Sequence, residues 1–353
     1  MLETELETDS GRPQLSLEEA HNLARESFGV EGTVKPLPSY IDQNFKITPA
    51  EGQAYVLKVA SAEEHEPFLH CQDRLLNHLA EGWPEDESPA SFPRPRMALS
   101  GSTVTAIEHG GKTHLVRLVT FLEGSFLADY PVRPAPLMER FGRFLGRLDD
   151  ILGSFQEPPH QREIIWDITH FDRVEPFLQA VREADQRQRL ESMYQRVRRN
   201  LERWDGQLAK GWIHGDANQH NLLIEASGPG APEILGLIDF GDLSYTGTIY
   251  ELAIAAAYAM LGEEDPSGVL EPLVAGYGAV RPISAVEVSS LVFAIPARLI
   301  TSLALAAHHG ALDPENEYVV ANQRPAWDLL EWWMGQDAAR LEAWIGEICA
   351  DAR

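Results

Sequence analysis

The spacing of apolar positions divides the chain into a strand-rich opening and a helical remainder. Helical periodicity after Ser16, with Glu18 and Glu19 in the first turn, predicts a helix over Leu17–Phe28. Strands are predicted over 34–47 and 54–59, flanking a turn at 49–52. A second helix follows over 62–81, its inward face set by Phe68, Leu75, Leu76 and Leu79 and its end marked by Gly82 and Pro84. After a Pro-rich loop at 88–95, strands over 102–108 and 112–119 form a hairpin across Gly110-Gly111. From Leu137 onward the pattern is helical, interrupted by strands within 213–224 and 234–239. Closing helices over 285–307 and 325–350 carry Trp327, Trp332, Trp333 and Trp344. Residues 1–13, charged and poor in aromatics, read as a disordered tail.

Composition adds bounds to this outline. A chain of 353 residues exceeds what one hydrophobic core usually serves, so two lobes are expected. The net charge of −25, from 54 acidic and 29 basic residues, argues against nucleic acid and anionic membrane as partners. It favours the approach of a cationic ligand. Cys71 and Cys349 lie far apart with no metal spacing, which suits a reducing compartment. Residues 1–10 are acidic and polar, unlike a signal peptide. The longest apolar runs, 251–261 and 291–307, are interrupted by Glu251, Pro296 and Arg298 and read as too short or too polar to span a bilayer. A cytoplasmic protein is the expectation.

The chemistry concentrates in two strings. Ile213-His214-Gly215-Asp216 runs on to Asn221, and Ile238-Asp239-Phe240-Gly241-Asp242 follows. Phosphoryl transfer needs a carboxylate to take an acceptor hydroxyl's proton, and oxygen ligands to hold magnesium on the nucleotide phosphates. Asp216 fits the first role; Asn221 and Asp239 fit the second. The order H-x-D-x-x-x-x-N, then D-F-G, matches the kinase signature with Gly215 in place of its Arg. His214 reads as a positioning residue for this loop, because Asp216 already supplies the base. Asp242 reads equally as a cap for the following loop or as part of the metal shell.

These strings resemble the aminoglycoside phosphotransferase and choline kinase superfamily. The stretches 37–45, 215–218, 275–277 and 280–282 further resemble its hydroxylysine kinase branch, and the similarity runs from about Leu37 to about Trp332. The resemblance implies an α+β, bilobal, protein-kinase-like fold with a small antiparallel-sheet N-lobe and a mostly helical C-lobe. It places the N-lobe at 14–120, a hinge at 121–124 and the C-lobe at 125–353. It also implies ATP or GTP with Mg2+, and a hydroxy amino acid or amino alcohol as acceptor. Two other functions stay open: an antibiotic-modifying phosphotransferase, and a non-catalytic nucleotide-binding regulator. A protein kinase is disfavoured, because no Ala-Pro-Glu element follows the D-F-G string.

Around this centre, Lys58 in the strand 55–59 is expected on the α/β-phosphates, since a buried Lys needs an anion. Gln72, central on the inward face of its helix, reads either as the hydrogen-bonding partner of Lys58 or as a packing residue. Ser39, Tyr40 and Asn44 lie in the segment that the resemblance places over the phosphates, and Phe121 and Leu122 offer backbone groups to a purine edge. Asn218 stands where protein kinases carry a Lys. The acceptor pocket is expected among Asn218, Trp166, Asp167, Glu251, Arg298 and Trp332. Arg298, set in an apolar helix, has two candidate partners: an acceptor carboxylate, or Glu251 in an internal ion pair.

Overall fold

The computed structural model describes residues 11–39, 41–84, 91–160, 162–226, 230–312 and 323–352, and the chain divides into two compact units, Met1–Gly124 and Ser125–Arg353. Residues 1–10, Tyr40 and the first part of the Pro-rich loop lie outside the described residues.

In the first unit, helix α1 (Leu17–Phe28) opens on a reciprocal cap. Ser16 Oγ accepts from the Glu19 backbone N–H, and the Glu19 carboxylate accepts from that of Ser16. It ends at Gly29, whose φ of 64° is the left-handed conformation in which glycine needs no Cβ clearance. A five-stranded antiparallel sheet follows, built from β1 (Thr33–Leu37), β2 (Gln43–Thr48), β3 (Tyr55–Val59), β4 (Val104–His109) and β5 (Lys112–Thr120) in the order β1-β2-β3-β5-β4. The single strand predicted over 34–47 is two strands, paired as a hairpin with Leu37 opposite Asn44. Pro38 lacks the N–H that a continuing ladder requires, and Ser39 and Asp42 belong to the turn-forming types.

One sheet face buries Phe45, Ile47, Leu57, Val59, Val116 and Leu118 against Ala20, Ala24 and Phe28 of α1. The other faces helix α2 (Glu66–Gly82), which starts later than predicted, with Pro67 in its first turn. On that face Arg117 of β5 sits beside Lys58 of β3 in register. The β4–β5 hairpin turns at Gly110 and Gly111 as predicted, with φ of 58° and 76°. Residues 11–13, expected within a disordered tail, are held: Gly11 O accepts from Ala62 N at 2.9 Å, and Pro13 is buried.

The second unit is mostly helical. Its helices are α3 (Ala135–Leu152), α4 (Ala184–Trp204), α5 (Tyr250–Ala259), α6 (Pro266–Val280), α7 (Ala285–Leu312), α8 (Gln323–Gly335) and α9 (Ala338–Asp351), with a 3-10 segment at Ile168–Ala180. The closing helix predicted over 325–350 breaks in two at Gly335, and Asp337 caps α9 by accepting from Arg340 N. Two small sheets complete the unit: β10 (Ser244–Gly247) pairs with β7 (Lys210–Ile213), and β6 (Ser125–Phe126), β8 (Leu222–Glu225) and β9 (Glu233–Leu237) form the other.

Helices α3 and α6 touch at backbone distance. A Cβ on Gly142 would lie 2.0 Å from Leu273 O, and one on Gly276 would lie 2.1 Å from Glu139 O. Helix α7 runs unbroken through Pro296 and Arg298, as the helix predicted over 285–307 does, but the expectation that these residues leave it too short or too polar to span a bilayer is corrected. Ala285–Gly310 is long and apolar enough to cross a membrane by composition, with a mean hydropathy of 1.8, but 78% of that window is buried within the unit. Its apolar surface is therefore core.

Candidate active site

The strand ends of the second unit bring the two sequence strings together. β7 stops at Ile213 and β8 starts at Leu222, so residues 214–221 form the loop between them. β9 stops at Leu237, just before the D-F-G string. Ile238 N donates to Asn221 O at 3.0 Å and His214 Nε2 donates to Ile238 O at 3.0 Å, stitching one loop to the other. His214 Nδ1 accepts from Asp216 N at 3.1 Å, so the proton sits on Nε2. The imidazole is fully buried, edge-on to Phe240 with ring centroids 4.6 Å apart. Burial holds it neutral, with its pKa lowered to about 4. It positions the loop.

Gly215 explains why the Arg of the signature is missing. Its φ is 81°, and an added Cβ would lie 2.5 Å from Asp242 O. That carbonyl is itself fixed by Ser244 Oγ at 2.9 Å, and Gly241 O by Arg162 Nη1 at 2.7 Å. Beneath the loop, Glu251 Oε2 accepts from His214 N at 2.5 Å and Gly215 N at 3.3 Å. Glu251 is completely buried, so the structure makes it the anchor of the loop backbone and removes it from any open acceptor pocket. Burial, opposed by these two N–H groups, raises its pKa to about 7.

Asp216 has both carboxylate oxygens engaged. Oδ2 accepts from Asn218 Nδ2 at 2.8 Å and Asn221 Nδ2 at 2.9 Å, and Oδ1 accepts from Arg298 Nη2 at 2.7 Å. Burial raises its pKa to about 7; Arg298 and the Asn218 amide pull it down, and Asp242 and Asp239 push it up. The ion pair expected between Arg298 and Glu251 is therefore replaced by one with Asp216. Glu251 gives Oε2 to the loop and its Oε1 is buried without a hydrogen-bond partner, while the guanidinium meets Asp216. Arg298 Nη1 also donates to Trp166 O at 2.9 Å and Nε to Tyr258 Oη at 3.2 Å, with the guanidinium carbon 4.6 Å from the centre of the Trp166 ring.

The magnesium-ligand types are in place. Asn221 spends its amide nitrogen on Asp216, leaving Oδ1 as its acceptor. Asp239 is exposed and, with φ of 62°, is the only non-glycine with positive φ among the described residues. Such backbone is costly by about 1–3 kcal/mol and concentrates at functional sites. No group of three His, Cys, Asp or Glu side chains converges on a metal position among the described residues. Magnesium commonly takes only one or two protein oxygens and completes its shell with phosphate and water, so this donor set fits it. The repulsion that Asp239 and Asp242 exert on Asp216 is charge that a divalent cation would offset.

Three other residues expected at the acceptor pocket make defined contacts. Asp167 caps the 3-10 segment, its Oδ1 accepting from Thr169 N at 2.9 Å and Thr246 Oγ1 at 3.0 Å. Trp332 packs on Trp333, whose indole donates to Val292 O, and no described contact joins it to Asp216. Asn218 reaches Asp216 directly and accepts from His220 N at 2.7 Å.

In the first unit, Lys58 is half-buried, opposite Asn44 and Arg117. The Gln72–Lys58 bond is corrected: Gln72 Oε1 accepts from Arg117 Nη2 at 2.5 Å, and Asp73 Oδ1 from Arg117 Nη1 at 2.8 Å. A guanidinium on the neighbouring strand offers two donors where Lys58 offers a point charge. Asn44 Oδ1 is buried without a hydrogen-bond partner. Ser39 O accepts from Arg12 Nη2 at 2.9 Å, and Tyr40 lies outside the described residues. Phe121 N donates to Ala54 O and Phe121 O accepts from Gln53 Nε2, both at 2.8 Å. Its N–H is therefore not available to a purine, and Leu122 is the half-buried position that follows.

Sequence reasoning missed Tyr258, Arg162 and the anchoring role of Glu251. The first two carry no local pattern. Glu251 did carry a signal, as a lone carboxylate in an alanine-rich helix.

Comparison with known proteins bears on this arrangement. The chain is 30% identical to the hydroxylysine kinase of Mus musculus over 359 residues, covering 95% of this chain and 94% of the relative. A hydroxylysine kinase of Danio rerio is 31% identical over 353 residues, covering 94% and 96%. Among solved structures, a microcompartment-associated aminopropanol kinase superposes with a TM-score of 0.71 at 18% identity, covering 92% of this chain and all of that one. That likeness confirms the protein-kinase-like α+β fold. The model of the APH phosphotransferase enzyme family matches residues 33–286, across both the Lys58 strand and the 214–242 loops, and the chain belongs to that family.

Proposed function

We propose that this phosphotransferase moves the γ-phosphoryl group of ATP or GTP to the hydroxyl of a small hydroxy amino acid or amino alcohol, of which 5-hydroxylysine is the first to try. The observation that carries the reading is the carboxylate of Asp216, fixed by Asn218 and Asn221 on one oxygen and set between Arg298 and the D-F-G loop. The names of the two relatives and the net charge of −25 support a cationic hydroxylated acceptor.

In this reading the acceptor oxygen bonds to the γ-phosphorus as its proton passes to Asp216, and the nucleoside diphosphate leaves. Asn221 Oδ1 and the Asp239 carboxylate would hold Mg2+, which when bound offsets the charge of the phosphate oxygens. Lys58 serves the α/β-phosphates, with Ser39 and Asn44 in the segment over them and Leu122 at the purine edge.

The test is a turnover screen with ATP and GTP against 5-hydroxylysine, ethanolamine, aminopropanol and kanamycin, for the parent and Asp216→Asn. Phosphorylated hydroxy amine from the parent, reduced about 10²–10⁴-fold in the variant, is expected. Turnover of kanamycin alone would favour an antibiotic-modifying enzyme, and nucleotide binding without product would favour a regulator.

A further inference from the structure

The hydrogen bonds of Asp216 restrict where an acceptor can meet it. A carboxylate has about four lone-pair sites, two on each oxygen. Oδ2 already takes two amides, from Asn218 and Asn221, while Oδ1 takes only Arg298. One site is left, on Oδ1.

Arg298 is held as firmly as the carboxylate it meets. It rises from α7 and is 2% exposed. Tyr258 on α5 takes Nε, the carbonyl of Trp166 takes Nη1, and the Trp166 and Tyr258 rings lie 4.6 and 5.3 Å from the guanidinium carbon. Three separate stretches of chain thus aim one N–H at Oδ1. A guanidinium committed in this way has no open face for the carboxylate of an acceptor.

Resting on the reading of Asp216 as the base, we propose that Arg298 is a positioning residue for it. By occupying one lone pair of Oδ1, with the two amides closing Oδ2, it leaves a single direction from which the acceptor hydroxyl can donate. Arg298 then acts through Asp216 on the rate of transfer, and does not select among acceptors by their carboxylates.

The experiment is a double-mutant cycle of Arg298→Ala with Asp216→Asn, each variant checked for a native circular dichroism spectrum and melting point. Arg298→Ala alone should lower kcat about 10²-fold, the loss typical of a group misplaced by an ångström, with nucleotide KM within about threefold. The loss should be equal for a hydroxy amino acid and its decarboxylated amine. Guanidinium at millimolar concentration should restore part of kcat, and urea should not. In the Asp216→Asn background the Arg298 change should have no further effect. Independent, multiplying losses would overturn the proposal, as would a KM rise confined to the hydroxy amino acid. If Arg298→Ala fails to fold, Tyr258→Phe, which removes the hydroxyl that accepts from Nε, should lower kcat in the same acceptor-independent way; an unchanged kcat there overturns the proposal. Full turnover in Asp216→Asn alone would instead sink the base assignment.

Discussion

Replacing Gly215 with alanine tests the geometry on which the site depends. The new Cβ would lie 2.5 Å from Asp242 O, nearly an ångström short of ordinary contact, and the residue would have to keep φ at 81°. The left-handed backbone alone costs an L-residue about 1–2 kcal/mol. The clash is with backbone, so relief requires moving the segment held by Ser244 and Arg162, at about 1 kcal/mol for each hydrogen bond given up. The total of about 3–4 kcal/mol is a large share of the roughly 5–15 kcal/mol that stabilises a domain. Because the moving segment flanks Asp239 and the mutated residue adjoins Asp216, kcat should fall about 10²-fold as well. The assay pairs urea unfolding with steady-state turnover, using Gly346→Ala as control. Gly346 lies inside α9 with nothing near its missing Cβ, and alanine there should gain about 0.5–1 kcal/mol. A Gly215→Ala protein with the parent's midpoint and kcat within twofold would show that the two loops do not meet as described.

Three further outcomes follow from other contacts. Glu251→Ala strips the acceptor from two buried N–H groups and should destabilise by about 2–4 kcal/mol and depress kcat, whereas Glu251→Gln keeps an acceptor and should do much less; equal effects in denaturant melts would refute the anchoring role. Asp149, buried on α3 beside Tyr277 and acted on by Glu251, has its pKa raised chiefly by burial and then by that neighbour. Raised folded pKa values mean that stability is full at acid pH and lost as pH climbs through about 7 for Glu251. Asp149→Asn should therefore flatten the fall in melting temperature between about pH 4.5 and 7, and an unchanged slope would count against it. Asn221→Ala and Asp239→Ala should each shift the Mg2+ dependence of turnover to higher concentration, and identical titrations in parent and variants would remove both from the metal site.

The parts of the site legible in sequence are those encoded locally. The eight-residue loop, the D-F-G string, the Gly110-Gly111 turn and the Ser16 cap each depend on neighbours within a few positions. What stayed hidden depends on where strands and helices meet. Arg117 takes Gln72 from 45 positions away, and Arg298 takes Asp216 from 82. Periodicity correctly put Gln72 on an inward face and marked Arg298 as needing a partner, but partner choice depends on strand register and helix crossing. The division of 34–47 into two strands is hidden for a different reason: apolar residues continue on both sides of Pro38, so the pattern alone does not mark the turn.

Helices α3 and α6 have a consequence for how the protein can diversify. Each occupies, at Gly142 and Gly276, the space where the other would carry a side chain. Neither position can accept even a methyl group without moving its neighbour's backbone, and a change at one is not relieved by a change at the other. The pair is a frozen floor beneath Asp149 and Tyr277, closed to drift one residue at a time. Changes that keep the fold must then come from other positions, and a directed-evolution library should leave this pair untouched.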